Sequence, residues 1–239
     1  MKKIVSRVII SCFLLAGLAG CSSKDKQRTL DSTANELSST PDTSLIGDQS
    51  KQTALLAYMD VMLNKVQLIT TSYAESGTKT IYLNQLLKEG ADSFQFINFA
   101  VLDMDGDKID EVVIQYSLTA SYPYPDYVEV LHYREGTVYG YNFSYRGLYG
   151  LKNDGSFMWS NAADDNGYAT LQFPSYNWEY VNIAYNKPNL NNEPYVINYQ
   201  TVTKSDYDTF IKSQEEKEDV IWYEFNEENI KAQLLGDNK

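Results

Sequence analysis

Cysteine is nearly absent from this chain. There are two in 239 residues, Cys12 and Cys21, and none beyond position 21. The long remainder therefore has no disulfide and no thiolate metal site of the zinc-finger kind. Histidine is scarcer still, with His132 alone, so any catalytic arrangement that needs an imidazole base depends on one residue. His132 sits in the alternating run Tyr127–Tyr133 and reads as a packed or half-exposed strand residue. Positive charge is in short supply too: 20 Lys and Arg against 32 Asp and Glu give a formal charge of −12. That balance argues against nucleic acid and anionic headgroups as electrostatic partners. Phosphate-cradling glycine loops, GxSxG elbows and HExxH motifs are missing, as is any fixed-period repeat. The one long apolar run, from Val8 to Gly20 with Ser11 inside it, falls short of the ~18–20 residues that a spanning helix needs.

What that run does have is a leader's layout. Lys2, Lys3 and Arg7 precede it, and the small residues Ala19 and Gly20 end it just before Cys21. Small residues admit an extended chain to a peptidase site, and a cysteine sulfur is the side-chain atom best suited to a thioether-linked lipid. Leu18-Ala19-Gly20-Cys21 resembles the lipobox of bacterial lipoproteins. The resemblance implies a signal peptide over 1–20, diacylglycerol on Cys21 with fatty-acyl chains such as palmitate, and residence on the extracytoplasmic face of a bacterial cell membrane. Each buried CH₂ contributes about 0.8 kcal/mol, so two or more chains anchor stably where one does not. Loss of residues 1–20 removes Lys2, Lys3 and Arg7 and takes the formal charge from −12 to −15.

Residues 21–50 are rich in Ser, Thr, Asp and Lys and predict a flexible tether after the lipidated cysteine. A single globular domain is expected over 51–239, and roughly 190 residues suffices for a core without disulfides. Leu55, Tyr58, Met59, Met62, Val66 and Ile69 recur at helical spacing. Tyr82, Leu83, Leu86 and Leu87 predict a second short helix closed by Gly90. From Phe94 the pattern turns to strands: Phe94–Leu102, Glu111–Ser117, Tyr127–Tyr133, Thr137–Tyr145, Tyr149–Lys152, Ser156–Ser160, Ala169–Phe173, Trp178–Tyr185, Tyr195–Val202 and Val220–Phe225. Glu135-Gly136 and Asp154-Gly155 read as hairpin turns. Thr203 with Asp206 opens a helix expected to run through Glu218, and Asn226 caps another through Leu235, with Gly236 as its stop. The fold class that follows is α+β: N-terminal helices, an antiparallel β-meander sheet, and C-terminal helices packed on it.

Between the first two strands lies Asp103-Met104-Asp105-Gly106-Asp107. Taking Asp103 as the first position, carboxylates fall at alternate places (Asp103, Asp105, Asp107) and again at Glu111, with the Ile109 carbonyl between. A hard cation such as Ca²⁺ takes six to eight oxygens, and this spacing lets a curled backbone aim them inward. Asp110 is an alternative or outer ligand. The EF-hand form needs Glu where this chain has Ile114. The stretch Val101–Val113 instead resembles the calcium loops of FG-GAP/VCBS-type extracellular proteins, which implies Ca²⁺ bound in a hairpin. Such loops usually carry glycine where this chain has Lys108, a position that turns with positive φ; a non-glycine residue there is strained by roughly 1 kcal/mol. An extracellular site of this kind works at about 10⁻⁴–10⁻³ M.

Twenty tyrosines are many for this length. Tyr139, Tyr141, Phe143 and Tyr145 share one face of a strand; Tyr139, Tyr141 and Tyr145 are candidate ligand-binding residues, although aromatic residues favour strands for packing alone. Trp159, Trp178 and Trp222 read as core, and Asp164-Asp165 as a solvated loop. Tyr127–Phe143 with Leu151–Phe157 resembles lipoproteins of Gram-positive bacteria that share a helix, a D-x-D-G-D hairpin and a following meander; the resemblance implies no activity. The expected function is that of a lipid-anchored extracytoplasmic protein, a non-catalytic binding or envelope-associated domain with a calcium-stabilised hairpin. Its partners would be the membrane, through lipid, and a cell-wall or envelope component. The alternatives are a hydrolase of cell-wall polysaccharide or peptidoglycan using paired carboxylates, and a subunit docked on a membrane complex.

Overall fold

The computed structural model describes residues 43–71, 77–88, 93–187 and 194–235. The signal peptide, Cys21, the tether as far as residue 42, Gly90 and Gly236 lie outside the described residues. The chain runs through helix α1 (Thr43–Met62), strands β1 (Leu68–Thr71) and β2 (Thr78–Ile81), and a 3-10 helix at Leu83–Lys88. Strands β3 (Phe94–Leu102), β4 (Glu111–Leu118), β5 (Tyr127–Arg134) and β6 (Thr137–Ser144) follow. After a short 3-10 turn come β7 (Phe157–Ala162), β8 (Asp165–Gln172), β9 (Glu179–Asn186), β10 (Tyr195–Ile197) and β11 (Gln200–Thr201). Helix α2 (Lys204–Glu215), strand β12 (Tyr223–Glu224) and helix α3 (Glu227–Leu235) complete it.

Helices and mostly antiparallel sheets are both present, and the strands form two sheets instead of the single meander expected. A seven-stranded sheet has the order β12-β3-β4-β5-β6-β1-β2, and a five-stranded sheet the order β11-β10-β9-β8-β7. β1 breaks the antiparallel rule by pairing parallel to β6, Ile69 opposite Tyr139. Strands buried on both faces explain the long apolar runs of the larger sheet. Phe99, Val112, Ile114, Leu131 and Val138 pack on one side against Ala54, Tyr58 and Met62 of α1 and Ile230 and Leu234 of α3. The other side sends Ala100, Val113, Val130, Tyr141 and Phe143 against Phe157, Trp159, Ala169 and Leu171 of the smaller sheet. The result is three layers, helix on sheet on sheet. Trp159 is buried, and Trp178 and Trp222 pack partly buried against that second core.

Several boundaries move for local reasons. α1 starts at Thr43, inside the stretch read as tether, and ends at Met62. Val66 is exposed and Ile69 belongs to β1, because Asn64 turns the chain at φ 56°. The expected strand Tyr195–Val202 is a hairpin, with Asn198 and Tyr199 at φ 48° and 63° forming the two-residue turn between β10 and β11. Asp164-Asp165 is the tight end of the β7–β8 hairpin, where Ala162 pairs with Asp165. α2 stops at Glu215, short of Glu218. Of Val220–Phe225, Tyr223–Glu224 pairs with β3 and the Phe225 amide donates to the Ile97 carbonyl, while the Val220 amide donates to the Leu151 carbonyl. The caps form as read: Thr203 Oγ1 accepts the Asp206 amide at 3.2 Å and Asn226 Oδ1 the Asn229 amide at 2.9 Å.

Candidate metal centre and cleft

The β3–β4 connection is folded by its own carboxylates. Asp103 accepts the Gly106 amide at 2.7 Å on one oxygen and the Lys108 amide at 3.0 Å on the other. Asp105 Oδ1 accepts from the Asp107 amide at 3.1 Å, and Asp107 Oδ1 from the Ile109 amide at 2.7 Å. Aspartate makes such turns readily because its side chain competes for nearby amides. Lys108 takes φ 73°, the left-handed conformation its position implies. Neighbours brace the loop from outside: Lys51 of α1 pairs with Asp110 at 2.8 Å, and Gln172 of β8 donates to the Asp105 carbonyl at 2.9 Å. Gly155, in the hairpin turn before β7, lies so near that a Cβ there would meet the Met104 carbonyl at 2.8 Å.

Two sets of side chains result that could hold a metal ion. Carboxylate oxygens of Asp103, Asp105 and Asp107 lie within 4.8 Å of one another. At that spacing and an effective dielectric of 20, each pair of charges repels by roughly 3 kcal/mol, more than an amide hydrogen bond returns. Burial, followed by the charges of Asp107 and Asp103, raises the Asp105 carboxyl despite the Asp107 amide bond. Asp107 is raised by burial and by Asp103 and Asp110. A cation would relieve both.

The second set, Asp105, Glu111 and His132, is also within 4.8 Å. Glu111 begins β4 and His132 lies next to it on β5, one step beyond the Val112–Leu131 pair. Both point towards the smaller sheet. Glu111 is fully buried, accepting the Met104 amide on Oε2 at 2.8 Å and facing His132 Nδ1 from Oε1 at 3.0 Å. His132 stacks on Phe173, just past the end of β8, with centroids 4.3 Å apart and planes at 17°. Burial raises the Glu111 carboxyl well above its ordinary range, helped by the charges of Asp105, Asp107 and Asp103 against the Met104 bond. Burial, with Arg134 nearby, lowers His132 to about 4. Both shifts favour the neutral side chains.

These groups border a cleft of about 560 Å³ lined by Gln49, Ser50 and Thr53 of α1, Asp105, Asp107 and Ile109 of the loop, and His132 through Glu135 with Phe173. Arg134 is held at its edge by a 3.3 Å bond to the Phe173 carbonyl and lies 5.7 Å from the Tyr176 ring centroid. Of the predicted ligands, Asp105, Asp107 and Ile109 reach the cleft, Asp103 lies behind them in the loop, and Glu111 falls with His132. His132 is packed, as its strand setting implies, yet it also lines the cleft. Its place beside Glu111 is a matter of register between strands that pattern alone does not display.

The tyrosines are not brought together. Tyr139 and Tyr141 border an apolar groove of about 280 Å³ with Ile69 and Tyr176. Tyr145 borders a separate hollow of about 240 Å³ with Tyr149 and Trp222. No helix among the described residues is long and apolar enough to cross a membrane. Set beside known proteins, the chain matches no family model, no curated protein and no solved structure.

Proposed function

We propose that this is a lipid-anchored extracytoplasmic binding domain of α+β class, attached through Cys21, whose β3–β4 loop is stabilised by calcium and forms one wall of its ligand cleft. The observation that carries the reading is the loop itself. Three aspartates converge within 4.8 Å in a loop braced by Lys51 and Gln172, and two of them, Asp105 and Asp107, face a cleft lined mainly by polar side chains. Asp103, Asp105 and Asp107, with the Ile109 carbonyl, would supply oxygens that Ca²⁺ prefers; Glu111 would join as a further ligand by turning an oxygen from His132 or Met104. The cation would tie the loop in place and so fix the shape of the wall. An envelope or cell-wall component is the expected occupant, and the charge of −15 left after loss of residues 1–20 disfavours a polyanionic one.

The test is calorimetric titration with Ca²⁺ up to millimolar concentration, read beside the melting temperature. Heat saturating at about 10⁻⁴–10⁻³ M with a rise in melting temperature supports the reading. Flat titration with an unchanged melting temperature removes it. Mass spectrometry of the natural protein tests the anchor separately, through an amino terminus at Cys21 bearing acyl chains.

A hydrolase acting on wall polymer is the second reading. It is favoured by one observation: Asp105 and Asp107, both raised from the ordinary carboxylate value by burial, line the same cleft as His132. Release of soluble fragments from purified peptidoglycan, lost in an Asp105→Asn variant, would establish it.

A further inference from the structure

We propose that Asp105, Glu111 and His132 form a second metal site, chemically distinct from the calcium loop, that takes a divalent transition ion of borderline softness such as Zn²⁺. A calcium site is built from oxygen, whereas this set offers one imidazole nitrogen and two carboxylates, a mixture that suits zinc and its neighbours. The three donor atoms lie within 4.8 Å of one another on three separate pieces of chain: the loop, the first residue of β4 and the middle of β5. Ligands bound to one tetrahedral zinc at 2.0–2.2 Å are separated by roughly 3.3–3.6 Å. The 3.0 Å between His132 Nδ1 and Glu111 Oε1 is a few tenths of an ångström inside that spacing. Asp105, on the half-buried loop and at most 4.8 Å away, has to close by roughly 1.5 Å at most.

His132 supplies the nitrogen donor. Its side chain is only 7% exposed, and its sole hydrogen bond among the described residues is the one between Nδ1 and Glu111. The ring also borders the cleft. A polar ring held this rigidly, stacked on Phe173 at 4.3 Å and aimed at an acid, is pre-oriented as few packing histidines are. The Met104 amide, donating to Glu111 Oε2, fixes the carboxylate as outer hydrogen bonds fix metal ligands. Three protein ligands would leave the remaining coordination position to water on the cleft side. The cleft also gives the ion its way in.

The inference deepens the cleft reading: Asp105 and Glu111 also belong to the proposed calcium set, and His132 is the donor particular to this one. Its test is titration of the purified, calcium-free protein with Zn²⁺, with Co²⁺ as a spectroscopic probe of the coordination sphere. The expected result is one Zn²⁺ per chain and visible Co²⁺ absorption of a mixed nitrogen–oxygen site. His132→Phe, which keeps the stack on Phe173, should weaken Zn²⁺ by at least about 100-fold and change Ca²⁺ little. Asp103→Asn should do the reverse. If His132→Phe does not fold, Asp105→Asn in the more open loop should lose both ions. Absence of stoichiometric Zn²⁺ binding in the unaltered protein overturns the inference, as does Zn²⁺ binding that survives His132→Phe or, where that variant fails, Asp105→Asn. Loss of calcium binding alone, with zinc retained, would sink the calcium reading and leave this one standing.

Discussion

Glu111 and His132 sit side by side on neighbouring strands, Oε1 and Nδ1 3.0 Å apart, beside the apolar core between the two sheets. Burial pushes the acid up and the base down, so the two work against each other in any pH profile. The sign for Glu111 follows from proton counts. Above the ordinary carboxylate pKa of about 4.3 the unfolded chain has lost this proton while the folded chain retains it, so stability falls as pH rises. Glu111→Gln keeps the shape and removes the titration. In the presence of a chelator, the variant should gain on the parent steadily as pH rises from about 4.5, read as the difference in melting temperature. With saturating divalent cation the order should invert, because the variant lacks a ligand.

Lys108 offers a cleaner test of the loop. Its backbone holds φ 73°, which costs roughly 1 kcal/mol for a side-chain-bearing residue. Lys108→Gly relieves that strain but returns about 0.5–1 kcal/mol as unfolded-chain entropy, so metal-free stability should hardly move. Cation affinity should rise, because removing a positive charge from the loop lessens its repulsion of the ion. A gain of roughly threefold to fivefold in Ca²⁺ affinity is expected, and it should shrink at high salt. Lys108→Gln separates the effects by removing charge alone. Calorimetric titration of the three proteins decides it.

How far the residues announce all this differs from element to element. β3 to β6 were legible within one or two positions because alternation, β-branched residues and the Glu135-Gly136 turn all agree. That turn has φ 51° and 84°, the pair a two-residue hairpin requires. The division into two sheets was not legible: alternation tells which side is buried and says nothing of what covers it. β1 is the extreme case, since its parallel partner β6 is about seventy residues away. The Asp105-centred loop could be read as a cation candidate from spacing alone. His132 could not be joined to it, because its partnership with Glu111 exists only in the register of β4 against β5. A weak signal was present, a histidine inside Val128–Tyr133, a strand buried on both faces.

Tyr141 carries a hydroxyl that has no hydrogen-bond partner among the described residues, although the ring is buried between the sheets. An orphaned buried hydroxyl costs about 1–3 kcal/mol. Tyr141→Phe removes it without opening a cavity and should stabilise by about 1 kcal/mol in denaturant titration. Burial also pushes the phenol up to about 12. Between pH 10 and that value the unfolded chain ionises and the folded chain does not, so stability falls with rising pH. The variant should lose its share of that alkaline slope.

Lys152 is held the opposite way, with every proton engaged. Buried in the turn before β7, its Nζ donates to the Glu215 and Lys217 carbonyls at 3.0 and 3.1 Å and to Asp219 at 2.6 Å. These carbonyls lie where α2 ends, the place at which a helix leaves acceptors unpaired. Lys152→Met preserves the stem and strips the donors, which should cost about 2–3 kcal/mol. For a domain of this size that corresponds to a melting temperature lower by roughly 4–12 °C.

Two glycines with nearly equal backbones separate local strain from contact with the metal loop. Gly136 and Gly155 have φ 84° and 78°. Nothing lies within 4 Å of a Cβ at Gly136, whereas at Gly155 it would meet the Met104 carbonyl at 2.8 Å and the Asp103 carbonyl at 3.2 Å. Gly136→Ala should therefore cost only the left-handed penalty, roughly 1 kcal/mol, and leave cation binding as it was. Gly155→Ala adds a backbone clash to the same penalty and should cost more, about 2–3 kcal/mol. Because the displaced atoms belong to Asp103 and Met104, it should also weaken Ca²⁺ while Gly136→Ala does not. Equal losses of stability in the two variants, with affinity untouched in both, would show that the hairpin turn before β7 does not shape the loop.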